Sequence, residues 1–162
     1  MITSSNDFLT RLQEIENGIV SNKMINSTTE SMVFIDSNAR IIDTNKTLNN
    51  FVIVTDDNNA ETIYFAIDKY FDNVDLSTKN ILIKYKNSFG EIYEDEPTET
   101  YEESINDSDK LIFGWKITRN ATKYPGNLTI QIMIYSYMED SNIFDYVLNT
   151  TLCNINIHKG LN

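Results

Sequence analysis

The sequence has few of the residues on which most enzymes and metalloproteins depend. Among its 162 residues there is one cysteine, Cys153, and one histidine, His158. A single cysteine excludes an internal disulfide and a multi-cysteine zinc site, and a single histidine excludes the usual histidine-rich metal sites. The five glycines form neither GxGxxG nor GxxxxGK[ST], the patterns of common phosphate-binding loops. We therefore expect no cofactor, no metal and no enzymatic activity.

Basic residues are also scarce. There are 13 lysines and arginines against 24 aspartates and glutamates, which gives a formal net charge of -11. This balance disfavours binding to nucleic acid or to an anionic membrane surface. The N-terminal sequence MITSSNDFLTRLQEIEN lacks the basic and apolar segments of a signal peptide, and no run approaches about 18 apolar residues. We expect a soluble protein made in the cytosol, with neither nucleic acid nor membrane as a partner.

The remaining candidates for chemistry have simpler interpretations. His158 adjoins an apolar residue near the end of the sequence, so we interpret it as a surface residue where a strand ends. Cys153 lies in an alternating apolar segment and is interpreted as a small core residue. Asp72 and Asp75 with Glu61 could form a carboxylate pair for glycoside cleavage, but capping of loops explains them as well.

A helical pattern is confined to residues 5–21. Four apolar residues recur there at spacings of four, three and four, and form one stripe: Phe8, Leu12, Ile15 and Ile19. The pattern predicts an amphipathic helix over residues 1–22, followed by a polar linker over residues 23–32. The stripe is the predicted partner-binding surface, and it could pack on the sheets, on copies of itself in a homo-oligomer such as a trimer, or on another subunit.

From Val33 onward, apolar residues alternate as they do in β-strands. The clearest segment runs from Asp109 to Tyr137, where two apolar halves flank a polar connection of roughly eight residues that contains Tyr124-Pro125-Gly126. We interpret the halves as adjacent antiparallel strands. About eight strands separated by turn signals predict an all-β, antiparallel β-sandwich over residues 33–162, of immunoglobulin-like or jelly-roll-like type. Six residues are predicted in its core: Phe65, Ile83, Phe113, Trp115, Ile130 and Ile132.

Three shorter segments give further expectations. Asp36-Ser37-Asn38-Ala39 indicates the turn of a hairpin. Residues 145–158 are expected to form either a final strand or a strand pair with a bend near Asn149-Thr150-Thr151. The segment from Glu91 to Asp109 is densely acidic. Its carboxylates could bind Ca²⁺, but it lacks the glycine-punctuated Asp-x-Asp-x-Asp loop, so we expect a solvated loop with an edge strand near Tyr101 to Ile105.

Several of these passages resemble a known family. Phe113-Gly114-Trp115, the connection from Ala121 to Asn127, Asn149-Thr150 and Gly160-Leu161 are its most specific pieces. The sequence from Val33 to Asn162 resembles a small β-sandwich domain of tailed-phage virion proteins. That domain is similar to the N-terminal domain of phage baseplate upper proteins, and it recurs in tail-fibre, head-fibre and minor structural proteins of phages of Clostridium-like bacteria.

The resemblance implies a non-enzymatic virion structural protein that is made in the cytoplasm of the host bacterium. Such a protein would act as an adaptor or decoration subunit of the capsid, neck or tail baseplate, with other phage virion proteins as its partners. Relatives often carry stalk or receptor-binding domains after the sandwich, whereas nothing follows Asn162 here. We therefore expect that the main function is docking on other virion proteins. The alternative is a carbohydrate- or host-receptor-binding module, in which exposed tyrosines form the binding platform.

Overall fold

Alternating apolar residues place most of the described chain in two β-sheets. The computed structural model describes residues 31–161, and the residues from Val33 onward form a unit of their own. The predicted helix with its stripe (Phe8, Leu12, Ile15 and Ile19) lies outside the described residues, as does the predicted linker apart from residues 31 and 32. The described part is mostly β, and its two main sheets form a sandwich-like arrangement.

The first sheet has five strands. In spatial order they are β2 (Ile41–Ile42), β1 (Met32–Asp36), β4 (Thr62–Asp68), β10 (Ser108–Lys116) and β9 (Glu99–Ile105).

The second sheet has six strands. Five follow one another in the order β3 (Ile53–Val54), β13 (Cys153–His158), β11 (Gly126–Tyr137), β7 (Asn80–Lys86) and β8 (Ile92–Asp95), and β12 (Phe144–Asn149) also pairs with β11. A separate small hairpin consists of β5 (Tyr70–Phe71) and β6 (Val74–Asp75). Three short helical turns complete the described elements: the 3₁₀ turns Thr47–Asn50 and Leu76–Thr78, and the one-turn helix α1 (Arg119–Thr122).

The described residues therefore contain thirteen strands, where the sequence predicted about eight. Four of the thirteen are only two residues long: β2, β3, β5 and β6. A two-residue strand is too short to show alternation, because the period of two becomes recognisable only over about four residues. The difference therefore comes mainly from short pairings that depend on neighbouring strands.

The inward faces of both sheets form one continuous core. All six residues predicted there (Phe65, Ile83, Phe113, Trp115, Ile130 and Ile132) have no solvent exposure. Phe65 and Phe113 stack across paired strands, with ring centroids 5.3 Å apart. Trp115 packs against Tyr85 of the opposite sheet at 5.3 Å. The alternation that marks the strands thus also marks the side that packs inward.

The prediction that the two long strands are adjacent was wrong. β10 pairs with β4 and β9, whereas β11 pairs with β7, β12 and β13. The nine residues between them, 117–125, include α1 and cross from one sheet to the other. Packed sheets lie about 10 Å apart, a distance that nine residues span easily, and crossing lets both apolar faces point into one core.

Strand β11 has two partners along one edge. Its first half pairs with β13 and its second half with β12. Between these partners, the backbone N–H of Thr150 donates to the Ile132 carbonyl over 3.0 Å, and Thr150 Oγ1 accepts from the Ile132 N–H over 2.9 Å. The predicted bend at Asn149-Thr150-Thr151 is confirmed, and Thr150 holds it against β11.

The first predicted hairpin is confirmed, whereas the acidic segment is more ordered than expected. β1 and β2 pair antiparallel, and Asp36 Oδ1 accepts hydrogen bonds from the backbone N–H groups of Asn38 and Ala39 in the turn. The expected edge strand in the acidic segment is β9, and a second edge strand, β8, precedes it. An edge strand has no neighbouring strand along one of its two edges. It tolerates many charges because that edge, and often one face of the strand, contact water.

Candidate functional site

The two residues with the most reactive side chains occupy ordinary strand positions. His158 ends β13 and is exposed, with its Nδ1 3.5 Å from the side-chain amide nitrogen of Asn156. Cys153 is half-buried and packs against the core. Burial raises the pKa of the Cys153 thiol, which lowers the fraction of nucleophilic thiolate at neutral pH.

The candidate carboxylates have local structural roles. Asp75 Oδ1 accepts from the Ser77 N–H over 3.0 Å and from the Ser77 hydroxyl over 2.6 Å, and so caps the 3₁₀ turn Leu76–Thr78. These hydrogen bonds lower the pKa of Asp75. Asp72 occupies the tight turn between β5 and β6 with a positive φ of 53°. The backbone carbonyl of Glu61 accepts from the Ile117 N–H. Loop capping therefore accounts for the Asp75 carboxylate, and Asp72 and Glu61 take part in a tight turn and a backbone hydrogen bond.

The connection between β10 and β11 is fixed by hydrogen bonds to other loops. The Thr122 hydroxyl donates to the Asp57 carbonyl over 2.6 Å, and the Ser88 hydroxyl donates to the Pro125 carbonyl over 2.7 Å. Gly126 has a backbone φ of 113°, a conformation that residues other than glycine rarely adopt. The connection is thus held against two other loops, those of Asp57 and Ser88.

The outer face of the second sheet is where exposed apolar side chains gather. Ile92 and Leu152 are 69% and 66% exposed, and they flank a groove of about 420 Å³ across the middle of this face. We call it the sheet groove. Its other lining residues are Lys84, Tyr85, Lys86, Glu94, Thr129, Ile130 and Gln131. Lys84, Lys86 and Glu94 add charged groups to a lining that is otherwise apolar or uncharged.

A second depression lies at one end of the same sheet, beside the β11–β12 hairpin. Its volume is about 570 Å³, and we call it the hairpin depression. It is lined by Asn80, Ser136, Tyr137, Met138, Glu139, Asp140, Ser141 and Asn142. The Tyr137 ring stacks on Phe144 at a centroid distance of 4.9 Å, and Tyr135 meets Phe144 edge-on at 5.7 Å. Burial raises the pKa of Tyr135.

Comparison with known proteins adds no relative to this picture. The sequence matches no protein-family model, and no match is found among curated proteins.

Within residues 31–161, no group of three or more histidine, cysteine or carboxylate side chains could hold a metal ion. None of the helices in this part of the chain has the length and apolarity needed to cross a membrane.

The residues of the outer face were not found from the sequence. Ile92 stands alone in an acidic segment, and Leu152 follows a run of polar residues, so neither belongs to a recognisable pattern. A weak signal existed at Tyr137 and Phe144, which flank the turn signal at residues 138–142 and could be expected to face each other across a hairpin.

Proposed function

We propose that this protein is a non-enzymatic bacteriophage virion structural protein. It acts as an adaptor or decoration subunit of the capsid, neck or tail baseplate, and it enters the virion after synthesis in the host cytoplasm. The resemblance over Val33 to Asn162 supports this role and an immunoglobulin-like or jelly-roll-like type of sandwich. Asp75 caps a 3₁₀ turn and Cys153 packs against the core, and these structural roles support a function in binding over one in catalysis.

The sheet groove is the observation on which the docking role rests. Monomeric proteins expose single apolar residues routinely, and such residues become informative when they share one surface. Ile92 and Leu152 both line this groove. Ile92 and Leu152 each have room to enter a pocket on a partner, as buried aliphatic anchors do in protein interfaces. The groove is therefore the proposed contact with another virion protein.

The N-terminal stripe is a second proposed contact. Phe8, Leu12, Ile15 and Ile19 would dock on a virion protein or form a homotrimer through a helical bundle. Replacing Leu12 and Ile15 with aspartate in the full chain places charges in that stripe. We expect the sandwich to stay folded and incorporation into particles to be lost, as measured by the amount of the protein in purified virions. Normal incorporation would remove the helix from the docking role.

The sheet groove is tested in the same way. We expect phages that carry Ile92→Asp and Leu152→Asp together to incorporate at least about tenfold less of the protein. Each change would bury an unpaired carboxylate in the interface, and a loss of about 1.4 kcal/mol of binding free energy already weakens binding tenfold. Circular dichroism and thermal unfolding of the purified variant should match the wild type, since both side chains are mostly exposed.

Val52→Asp is the matched control. Val52 is 65% exposed, like the two groove residues, but it does not line the groove. We expect this variant to enter particles normally. Equal loss of incorporation in the control and the groove variant, or normal incorporation of both, would refute docking through the groove.

A carbohydrate- or host-receptor-binding module is the second candidate function. It is favoured by the aromatic cluster of Tyr135, Tyr137 and Phe144 on the outer face. Phages that require the protein for attachment to cells, and not for assembly of particles, would support this candidate over the first.

A further inference from the structure

The hairpin depression differs from the sheet groove in shape and chemistry, and the two have no lining residue in common. One wall is the Tyr137 ring, with Met138 beside it, and the remaining lining residues are amides, carboxylates and hydroxyls. An aromatic wall in an otherwise polar depression suits a ligand that has an apolar face and many hydroxyl groups.

The aromatic wall is held in place before any ligand binds. Phe144 stacks against Tyr137 with an angle of 16° between the rings, and Tyr135 meets Tyr137 nearly edge-on at 5.6 Å and 77°. Tyr137 and Phe144 nevertheless remain 45% exposed each. A fixed ring loses little conformational entropy when a ligand stacks on it, so this wall is preorganised for stacking.

The polar side of the depression is formed by a well-fixed turn. The Met138 N–H donates to the Ile143 carbonyl over 2.7 Å, and the Ser141 N–H donates to the Met138 carbonyl over 3.1 Å. The Ser141 hydroxyl oxygen accepts from the Ile143 N–H over 3.0 Å. The turn therefore presents its side chains from a backbone that has its own hydrogen bonds.

Several of those side chains have hydrogen-bonding capacity to spare. Within the described part of the chain, four lining residues make no side-chain hydrogen bond: Asn80, Glu139, Asp140 and Asn142. Two amides and two carboxylates offer both donors and acceptors to a ligand. By contrast, Ser136 is engaged, because its hydroxyl donates to Asp145 and accepts from the Lys79 ammonium over 3.3 Å.

These groups favour a saccharide over a protein partner. The buried centre of a protein interface is depleted of aspartate, glutamate and serine, whereas those residues form much of this lining. A sugar ring can lay its C–H face on Tyr137 while its hydroxyls donate to the carboxylates and bond to the amides.

The charges around the depression define the saccharide further. Glu139, Asp140 and Asp145 lie in or next to it, and they would repel an anionic sugar. The neighbouring cation, Lys79, already contacts Ser136 and lies 5.0 Å from the centroid of the Tyr146 ring. We propose that the hairpin depression binds a neutral saccharide through stacking on Tyr137 and hydrogen bonds to the amides and carboxylates that line it.

The test is calorimetric titration of the full-length protein with neutral hexasaccharides of glucose, of mannose and of N-acetylglucosamine, beside an anionic oligogalacturonate. We expect at least one neutral sugar to bind with a dissociation constant of about 1 mM or tighter, and the anionic one to bind at least about tenfold more weakly. Tyr137→Ala should weaken binding of the neutral sugar by at least about tenfold, and Tyr137→Phe should retain most of it because the ring remains.

Phe89→Ala is the matched control, since Phe89 is an exposed aromatic residue that does not line the depression. This variant should bind the sugar as the wild type does. The inference is overturned if none of the neutral sugars binds, if Tyr137→Ala binds as tightly as the wild type, or if Phe89→Ala loses binding equally. This inference rests on the second candidate function and not on docking through Ile92 and Leu152. Failure of one is distinguishable from failure of the other, because sugar binding and incorporation into particles are measured independently.

Discussion

Trp115 donates its indole N–H to Asp95 Oδ2 over 3.0 Å, and this hydrogen bond joins β10 of the first sheet to β8 of the second. The same Trp115 ring packs on Tyr85. The buried Tyr85 hydroxyl has no hydrogen-bond partner among residues 31–161, and burial followed by the charge of Asp95 raises its pKa. One residue of the acidic segment thus contributes to the contact between the sheets.

Trp115 is the largest fully buried side chain in the described part of the chain, so its truncation should be costly. We expect Trp115→Ala to lower the free energy of unfolding by roughly 3–5 kcal/mol, because an aromatic ring is lost from the core and a cavity remains. Urea unfolding followed by circular dichroism measures this cost. Trp115→Phe should cost less, since a ring still packs on Tyr85. A cost below about 1 kcal/mol for the alanine variant would contradict this account of the core.

Gly114 should not tolerate a side chain while Tyr64 is present. A Cβ atom there would lie 2.9 Å from Tyr64 Cε1, and the Tyr64 hydroxyl is itself tied to Glu99 by a hydrogen bond. We expect Gly114→Ala to cost about 1–3 kcal/mol of unfolding free energy, because the ring must move. The same change in a Tyr64→Ala background should cost less, as a double-mutant cycle would show. Equal costs in both backgrounds would exclude a clash with Tyr64 as the cause.

The Thr150 hydroxyl should matter more than its methyl group. Thr150 Oγ1 accepts from the buried N–H of Ile132, so Thr150→Val leaves that donor without a partner while preserving the size of the side chain. We expect a loss of about 1–3 kcal/mol. Thr150→Ser keeps the hydroxyl and serves as the matched control. Hydrogen exchange of the Ile132 amide should accelerate in the valine variant alone, and unchanged exchange would count against this role.

Two tyrosines of the first sheet should make the fold sensitive to alkaline pH. Burial, then hydrogen bonding to Glu99, raises the pKa of Tyr64, and burial followed by the charges of Glu103 and Glu99 raises the pKa of Tyr101 to about 12. In the unfolded chain a tyrosine loses its proton near its ordinary pKa of 10.0. The folded protein holds more protons above that pH, so its free energy of unfolding should fall as the pH rises from about 10 to about 12.

Tyr101→Phe tests this dependence, because it removes one of the two groups. We expect the free energy of unfolding of the variant to decrease less steeply over the same pH range, measured by urea unfolding at several pH values. Below about pH 9 the two proteins should show no difference in slope, since the tyrosines are protonated in both states. An unchanged slope above about pH 10 would show that Tyr101 does not contribute.

Local patterns in the sequence were enough to find strands and their buried sides. Phe65, Phe113 and Ile132 each lie in an alternating run, and neighbouring side chains in a strand point to opposite faces whatever the rest of the fold does. The turn at residues 36–39 was equally clear, because Asp36 makes its hydrogen bonds to residues two and three positions away. In such cases the physical cause and the sequence signal lie within a few residues of each other.

The partners of β10 and β11 could not be found in this way. Backbone hydrogen bonds between strands are the same for every residue type except proline. The sequence of either strand therefore does not indicate which strand it pairs with. The sandwich assigns β10 and β11 to opposite sheets because both apolar faces are then buried in one core. That choice depends on all strands at once.

The sequence by itself determined that this protein is acidic, mostly β and built around Phe113, Trp115 and the isoleucines of β11, because composition and alternation are local properties. Only the tertiary structure decided which apolar residues remain exposed. Ile92 and Leu152 come from distant parts of the chain and both line the sheet groove, and the Tyr137 ring stacks on Phe144 across a hairpin. Exposure is set by what packs against a residue, and for these residues that depends on the path of the whole chain.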